Sequence, residues 1–596
     1  MSKNYNKRKK IRTLDYGVIL GIFAILPLFT FPYKTINSYD GYPWCTTADM
    51  TMTDLFLFGK GILLIFFLLI GIVQLTGRYK VLSHQLTVDR SIYFFLGYIA
   101  FVVMSALFSK YPGISWKGGS DQYESTWVLI AYVGICIYSS CFFLLAANSD
   151  TKLMENILQI GLPVSLIPTL LVCTGQFFGL DILGKILSAF DYTCVVMSGT
   201  VYGAFYNQNY VGSYVVLLLP LLLLFVISAR RKWEKLLYII ISTMLLLSLV
   251  GSRSTTGYVS LLLILVFFCI LQIHDKKSLL ISGGVLILAF FVFFIVDTAK
   301  EHYYTDKLYA ALHPSEETPS LESIETLDDK IEIIYKGNLL DISFDADEAS
   351  DNPYNFRIVD SAQEPVEGIV NQSDGVLELQ DKRFPDFIIG PAYLSDLDNL
   401  LSFYVVIDEK KWIFTNQTDG TYYYINNLGN LDKIDNAPMA LFEDNPLFAS
   451  GRGFLWGKTI PLLKKYIFLG AGPDTYTVIY PQSDYVNKFN SGYENTYVTR
   501  PHNMYLQMWT QTGLISLLLF LTAYGLYFIQ SIRLYRYLKN KTTLWMAGTG
   551  IFYGTFGYLL AGLFNDSMVT VAPLFYVLLG IGFALNHINR SEINQN

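Results

Sequence analysis

Long apolar stretches, each about as long as a membrane-crossing helix, alternate with short polar connections through the first half of the chain and again at its end. Candidate spans fall near residues 14–33, 54–76, 91–108, 127–147, 155–178, 209–229, 236–251, 255–273, 278–297, 513–531, 544–564 and 568–586. A helix needs about 20 mostly apolar residues to cross the hydrocarbon core, where backbone groups find no water and must bond internally. About twelve such segments predict a mainly α, polytopic transmembrane bundle. The gap between the ninth and tenth spans has another texture. From about Lys330 to Lys433, KIEIIYKG, NLLDISFD, FRIVDS, GVLELQD, SFYVVIDEKKWIFT and GTYYYINN alternate or cluster β-branched and aromatic residues, with Gly, Asn and Asp between them. This predicts an inserted β-rich domain, a small sandwich. The chain then divides into nine spans (1–297), an acidic β-rich insertion (298–450), a long loop (451–512) and three closing spans (513–596).

Charge adds an orientation. Lys3, Lys7, Arg8, Lys9, Lys10 and Arg12, then Arg78, Lys80 and Arg90, Arg230 to Lys235, Lys276-Lys277, and Arg533, Arg536, Lys539 and Lys541 all fall on one side of the predicted bundle. Basic short loops stay cytoplasmic, so both termini are expected inside and residues 298–512 outside the cytoplasmic membrane. The first span has a basic flank but no small-residue cleavage site, and reads as retained. Residues 298–450 hold 10 Lys or Arg against 30 Asp or Glu, a balance of −20 in a chain whose net charge is −6. Solubility outside and anionic lipid inside account for most of that segregation. No nucleic-acid partner is expected. Of the six cysteines, Cys136, Cys141, Cys173 and Cys269 read as small apolar fillers of spans, while Cys45 and Cys194 lie in outer loops where pairing is one option. No CxxC or His-x-x-x-His spacing points to a metal. The acidic run Asp345 to Asp351 lacks the glycine and downstream glutamate of a calcium loop and reads as solvated.

A few polar residues stand out against this background. Lys60 lies inside the second span near its outer end, where snorkelling and ligand binding are both open. The outer loop after Trp116 carries Asp121 and Glu124, possible partners for basic groups but solvated by default. Asn207 and Asn209 stand at the mouth of a span, where amides cap the following helix or bond sugar hydroxyls. Arg253 occupies a short turn between two apolar segments with no acid nearby in sequence, an expensive placement that favours a functional role over snorkelling. After Ser450, the spacing of Phe454, Leu455, Thr459, Leu462, Leu463 and Tyr466, with Lys458, Lys464 and Lys465 between them, predicts a helix lying at the interface. A Gly470-Ala-Gly-Pro473 turn follows, and then Arg500, His502 and Asn503 before the next apolar helix.

The ordered set of Arg452, Trp456, Gly470 to Pro473, and His502-Asn503 followed by Tyr505 and Leu506 resembles the extracytoplasmic loop of the O-antigen ligase and polymerase family. Upstream, Asn207 and Asn209 before one span and the Ser252-Arg253 turn between two others also resemble that family. The insertion before Ser450 departs from its usual pattern. The resemblance implies a GT-C-like membrane glycosyltransferase without a cofactor. Its donor is an oligosaccharide on undecaprenyl diphosphate, and its acceptor a glycan or another surface molecule. Arg253 and Arg452 suit the diphosphate, because guanidinium forks bind phosphate oxygens bidentately and keep their charge in apolar surroundings. His502 suits the general base for the acceptor hydroxyl, or a hydrogen-bond donor to phosphate. Arg500 is a further phosphate contact or a loop residue, and Asn503 orients His502. Attack opposite the diphosphate makes the transfer inverting, and arginines that place positive charge where the diphosphate departs make it metal-independent. The alternative from another class is a polytopic transporter of a lipid-linked or anionic substrate. The scarcity of mid-membrane acids argues against it. A receptor built around the β domain is a lesser alternative, since about twelve spans exceed what an anchor needs.

Overall fold

The structure, a computed structural model, describes residues 11–45, 51–78, 89–190, 200–271, 319–345, 355–371, 375–393, 401–416, 418–536 and 542–595, with residue 192 and scattered positions between 283 and 309. It is mainly helical. The principal helices are α1 (Thr13–Leu28), α2 (Phe58–Thr76), α3 (Ser91–Leu107), α4 (Thr126–Ser149), α5 (Thr151–Phe177), α6 (Gln208–Ser228), α7 (Lys232–Ser252) and α8 (Thr255–Leu271). After the strands come α9 (Phe448–Leu463), α10 (Met504–Thr512), α11 (Leu514–Tyr535), α12 (Thr543–Ala561) and α13 (Ala572–Gln595).

Among the described residues, seven helices are long and apolar enough to cross a membrane: α2, α4, α5, α6, α7, α11 and α13. That is fewer than the twelve spans expected from the sequence. The expected spans near 14–33, 91–108 and 255–273 fall on the shorter apolar helices α1, α3 and α8. The first is cut short because the chain becomes extended at Tyr33–Ile36, which pairs with Thr51–Asp54. The span expected at 278–297 lies outside the described residues except at scattered positions. The span expected at 544–564 is α12, whose hydropathy is diluted by Gly, Thr and Tyr for a packing reason. It runs against α6, and a Cβ at Gly550 or Gly554 would collide with the backbone of Leu221 or Leu217. Small residues at such a crossing let two helices approach until their backbones touch, which replaces the hydrophobic drive that lipid does not supply.

Between α8 and α9, Leu321–Thr326, Ile331–Tyr335, Asn338–Asp345 and Asn355–Asp360 form a four-stranded antiparallel meander. Seven further strands, from Gly368–Asn371 to Leu431–Asp432, form a second one, also in sequence order. Inward-facing Ile331, Ile333 and Ile342 of the first sheet share a core with Phe403, Val405, Trp412, Phe414 and Tyr424 of the second. Tyr485 and Val486, from beyond α9, complete that core. The turn at Asn426 to Asn430 also grips the first loop of the chain, with both amides donating to Pro43 O at 2.8 and 2.7 Å.

Helix α9 is not the interfacial helix that its spacing suggests. Phe454, Leu455, Trp456, Lys458 and Thr459 are all buried, and only the end beyond Leu463 presents Lys464, Lys465 and Phe468 outward. Lys458 is paired with Asp484 at 2.6 Å, both side chains being 1% exposed. Burial is tolerable for this lysine because the carboxylate and Ala437 O satisfy it.

Candidate functional site

Two loops from distant parts of the chain meet at one end of the helical bundle. The first, residues 500–503, leads into α10, and the second, residues 562–571, joins α12 to α13. Their backbones are laced together: Met504 N donates to Gly562 O at 2.8 Å and Asn503 Nδ2 to Leu563 O at 3.0 Å. Asn503 also caps α10, its Oδ1 accepting from Tyr505 N and Leu506 N. Its side chain is therefore occupied in holding the two loops and the helix start. His502 takes a left-handed φ of 52°, and Pro501 O accepts from Trp456 Nε1 at 2.9 Å. These constraints turn the imidazole toward the second loop.

There His502 Nδ1 lies 2.9 Å from Oδ2 of Asp566, whose side chain is fully buried while that of His502 is about one-third exposed. Burial alone would raise the Asp566 carboxyl. The opposing attraction of His502, with Arg500 and Arg452 behind it, outweighs that and holds it below the usual carboxylate range. An ionised Asp566 accepts the Nδ1 proton and leaves Nε2 as the basic nitrogen, which fixes tautomer and ring orientation together. Asn565 holds the same loop to the start of α6, donating to Asn209 O at 3.3 Å and Ser213 Oγ at 3.1 Å. Ser567 N is held by Gln507 Oε1 at 3.1 Å, and Gln507 Nε2 reaches Glu124 at 3.3 Å. Glu124 is buried, which pushes its carboxyl well above the usual range, and it accepts from Tyr132 OH at 2.5 Å. Glu124 and Gln507 thus buttress the loop that carries Asp566.

The arginines differ in what occupies them. Arg452 stands at the kinked start of α9, where Ala449, Ser450 and Gly451 have left-handed φ. Its Nε donates to Phe564 O at 2.9 Å and its Nη1 to Ala449 O at 2.8 Å, so the guanidinium lies against the Asp566 loop. Desolvation lowers its pKa, and Asp566 opposes that lowering. Among the described residues it has no carboxylate within salt-bridge distance, which leaves its charge for another anion. Arg500 is buried and spread over Tyr210 OH at 3.0 Å, Asp121 O at 2.5 Å, Thr499 Oγ1 and Met568 Sδ, with its guanidinium 5.2 Å from the Tyr206 ring centre. It builds the wall beneath the site. Arg253 caps α7 in a left-handed conformation and is exposed, without a side-chain hydrogen bond or ion pair among the described residues. Its turn packs at the same end of the bundle, with Ser254 against Gly212 of α6.

The remaining sequence candidates have structural partners. Asn207 caps α6 through Asn209 N at 2.9 Å. The contact of Asn209 with the site is its backbone carbonyl, through Asn565. Lys60 neither snorkels nor faces a ligand: it is fully buried and donates to Phe29 O and Ala204 O, both at 2.8 Å. The glycine turn at 470–473 is zipped onto the end of α10 by Ala471 N to Thr510 O and Gly472 N to Gln511 O. Cys45 Sγ accepts from Asn37, while Cys194 lies outside the described residues, as does the acidic run 346–351. No group of three or more His, Cys, Asp or Glu is placed to hold a metal among the described residues.

Asp566 is the residue that sequence reasoning missed. Its signal was present: Asn565-Asp566-Ser567 interrupts two apolar segments with a charge, and the interruption passed as a plain turn between spans. The match to known families falls on the other half of this site. Residues 402–521 match a family model described as O-Antigen ligase, a stretch containing Arg452, Arg500, His502 and Asn503 together with the last strands of the second sheet. No curated protein and no solved structure matches the chain. The transport alternative gains no support from the match. With its apolar helices and an O-antigen ligase domain at residues 402–521, the chain is similar to the O-antigen ligase and polymerase family of multi-pass membrane proteins.

Proposed function

We propose that the protein is a glycosyltransferase that moves an oligosaccharide from undecaprenyl diphosphate to a glycan or other surface acceptor on the outer face of the cytoplasmic membrane. The observation that carries this is the His502–Asp566 pair lying beside Arg452, which has no carboxylate within salt-bridge distance among the described residues. In the reaction the acceptor hydroxyl gives its proton to Nε2 of His502 as its oxygen attacks the anomeric carbon. The bond from that carbon to the diphosphate oxygen breaks, and its electron pair leaves with the lipid diphosphate. Arg452, with Arg253 on the same end of the bundle, places positive charge where this negative charge develops, so no metal ion is required. Attack from the face opposite the diphosphate inverts the anomeric centre. Asp566 and Arg500 are positioning residues, the first for the imidazole and the second for the loop that bears it.

Orientation supports the same reading. The site lies at the end of α6 and α7 opposite Arg230, Arg231, Lys232 and Lys235, and α11 runs from the site to Arg533 and Arg536. Basic ends favour the cytoplasm, which supports an outer position for His502. The test is transfer by purified protein from a lipid-diphosphate oligosaccharide to a matching acceptor in chelator, for wild type and for His502→Ala, Arg452→Ala and Arg253→Ala. Loss of transfer in folded variants supports the assignment, and product length separates polymerisation from ligation. Normal transfer by the variants would refute the site, and metal-dependent transfer would refute the arginine clamp.

A further inference from the structure

A cluster of aromatic rings lies a short distance along the chain from His502 and is not used by the proposed reaction. Trp44 stacks with Tyr42 at 4.9 Å and 28° between planes, and lies 5.7 Å from Tyr497 and 5.9 Å from Tyr39. Tyr39 is buried beneath, its hydroxyl bonded to Ser120 O, while Tyr42, Trp44 and Tyr497 are half-buried. The backbone on either side of Trp44 is clamped. Asn426 and Asn430, from the turn of the second sheet, hold Pro43 O, and Asn430 also reaches Cys45 O at 3.2 Å. A loop fixed on both flanks presents its indole in one orientation and loses little entropy when a ligand arrives. Polar side chains follow close by in the chain: Asn427 bonds Asn495 at 2.5 Å and Glu494 at 3.3 Å, two and three residues before Tyr497, and Glu494 is also paired with Lys410 at 2.6 Å.

We propose that Trp44, Tyr42 and Tyr497 form a saccharide subsite holding the sugar chain on its way to the transfer point. This rests on the glycosyltransferase reading. Ring faces offer a flat apolar surface to the C–H face of a pyranose, and the nearby amides of Asn427 and Asn495 suit its hydroxyls, the mixture expected of a site that binds a polar ligand with a few placed groups. Position ties it to the site. Tyr497 is five residues before His502, at most about 18 Å of extended chain. Asp121 is common to both: its charge acts on Tyr497, its carboxylate accepts from Tyr206 OH, and its carbonyl accepts from Arg500 two residues before His502.

The probe is the lipid-free oligosaccharide released by mild acid from the cell's own lipid-diphosphate pool, titrated into full-length His502→Ala protein by calorimetry. Because that variant is not asked to turn over, the binding result stands whether or not the transfer reading does. Adding Trp44→Ala or Tyr42→Ala is expected to weaken binding about 10-fold or more, and Trp44→Phe, which keeps a ring, to weaken it less. In the active protein the same changes are expected to raise KM and leave kcat within about 2-fold. A rise in the lipid donor's KM assigns the subsite to the donor's sugars, and a rise in the acceptor's KM to the acceptor. Unchanged binding in both folded alanine variants, or a loss in kcat with KM unmoved, would overturn the proposal.

Discussion

Replacing Asp566 by Asn tests the pairing at its centre while keeping side-chain volume. In the wild type a buried carboxylate accepts the His502 Nδ1 proton on Oδ2 at 2.9 Å, and no donor meets its Oδ1 among the described residues. A hydrogen bond to a charged group contributes about 1.5–3 kcal/mol, so this one favours the tautomer with a free Nε2 by about 10- to 150-fold. An amide meets Nδ1 with its NH₂ as readily as with its oxygen, and the preference is lost or reversed. General-base assistance is itself worth about 10²–10⁴, so kcat is expected to fall by a factor in that range with KM little changed. The amide also removes the charge that faces Arg452 and Arg500, so a melting curve must accompany the kinetics. The decisive assay is the cycle with His502→Ala. If Asp566 acts through His502, the double variant is no slower than His502→Ala alone, because residues acting as a unit are not additive. Additive losses, or near-normal kcat in Asp566→Asn, would refute the reasoning.

Other outcomes follow from single contacts. Asp474 is buried with Gly119 N on Oδ2 at 2.6 Å, and burial pushes its carboxyl from the usual range up to about 7 against the backbone hydrogen bonds and the Arg500 charge that lower it. Its folded pKa is above the unfolded one, so the native state holds a proton that the unfolded chain has released. Stability from this group is therefore lost as pH rises from about 4 to about 7, up to about 4 kcal/mol at about 1.4 kcal/mol per unit. Asp474→Asn should flatten the melting temperature against pH relative to wild type, and parallel curves would contradict this. Lys458→Met strands Asp484 in a buried site and is expected to cost about 3–5 kcal/mol, visible as a large drop in melting temperature that Asp484→Asn in the same chain partly restores. Arg253→Ala removes an exposed side chain and should leave the melting temperature unchanged, so any loss of transfer reports on substrate; a lowered melting temperature would point to a structural role instead.

What the sequence made legible depended on how far apart the interacting residues lie. Apolar runs are local, and the helices from α2 to α7 begin within a few residues of where hydropathy places them. Arg452, Trp456, Arg500 and His502 occupy one stretch with a recognisable order, so they could be singled out without knowing the fold. Asp566 is 64 residues from His502, beyond two helices, and nothing local says that the turn at 565–567 folds back onto 500–503. Lys60 and Lys458 misled for a related reason. Residue type and helical spacing describe a helix against an unspecified environment, and both lysines are satisfied by groups from elsewhere in the chain, Phe29 and Ala204 for one and Asp484 for the other. The two asparagines were readable as caps or as sugar ligands. Cap geometry, once seen, accounts for the side chain of Asn207 and leaves that of Asn209 without a hydrogen-bond partner among the described residues.

The β-rich segment bears on the site through its mechanical attachment rather than its composition. Tyr485 and Val486 are part of the core that the two sheets share, and Asn490 Nδ2 donates to Leu321 O at 2.8 Å, so the chain that leaves this core is fixed to it. Ten residues later the same strand of chain supplies Arg500, and then His502. On the other side, the turn at Asn426 to Asn430 holds the loop carrying Trp44. A domain tethered only by flexible linkers would leave those loops to find their own positions, at an ordering cost of about 1–2 kcal/mol per residue. Here the sheets hold both loops before a substrate binds. Under the proposed reaction the β-rich segment would act as a scaffold for the approach to His502, and the side chains facing that approach are where discrimination between acceptors is to be sought.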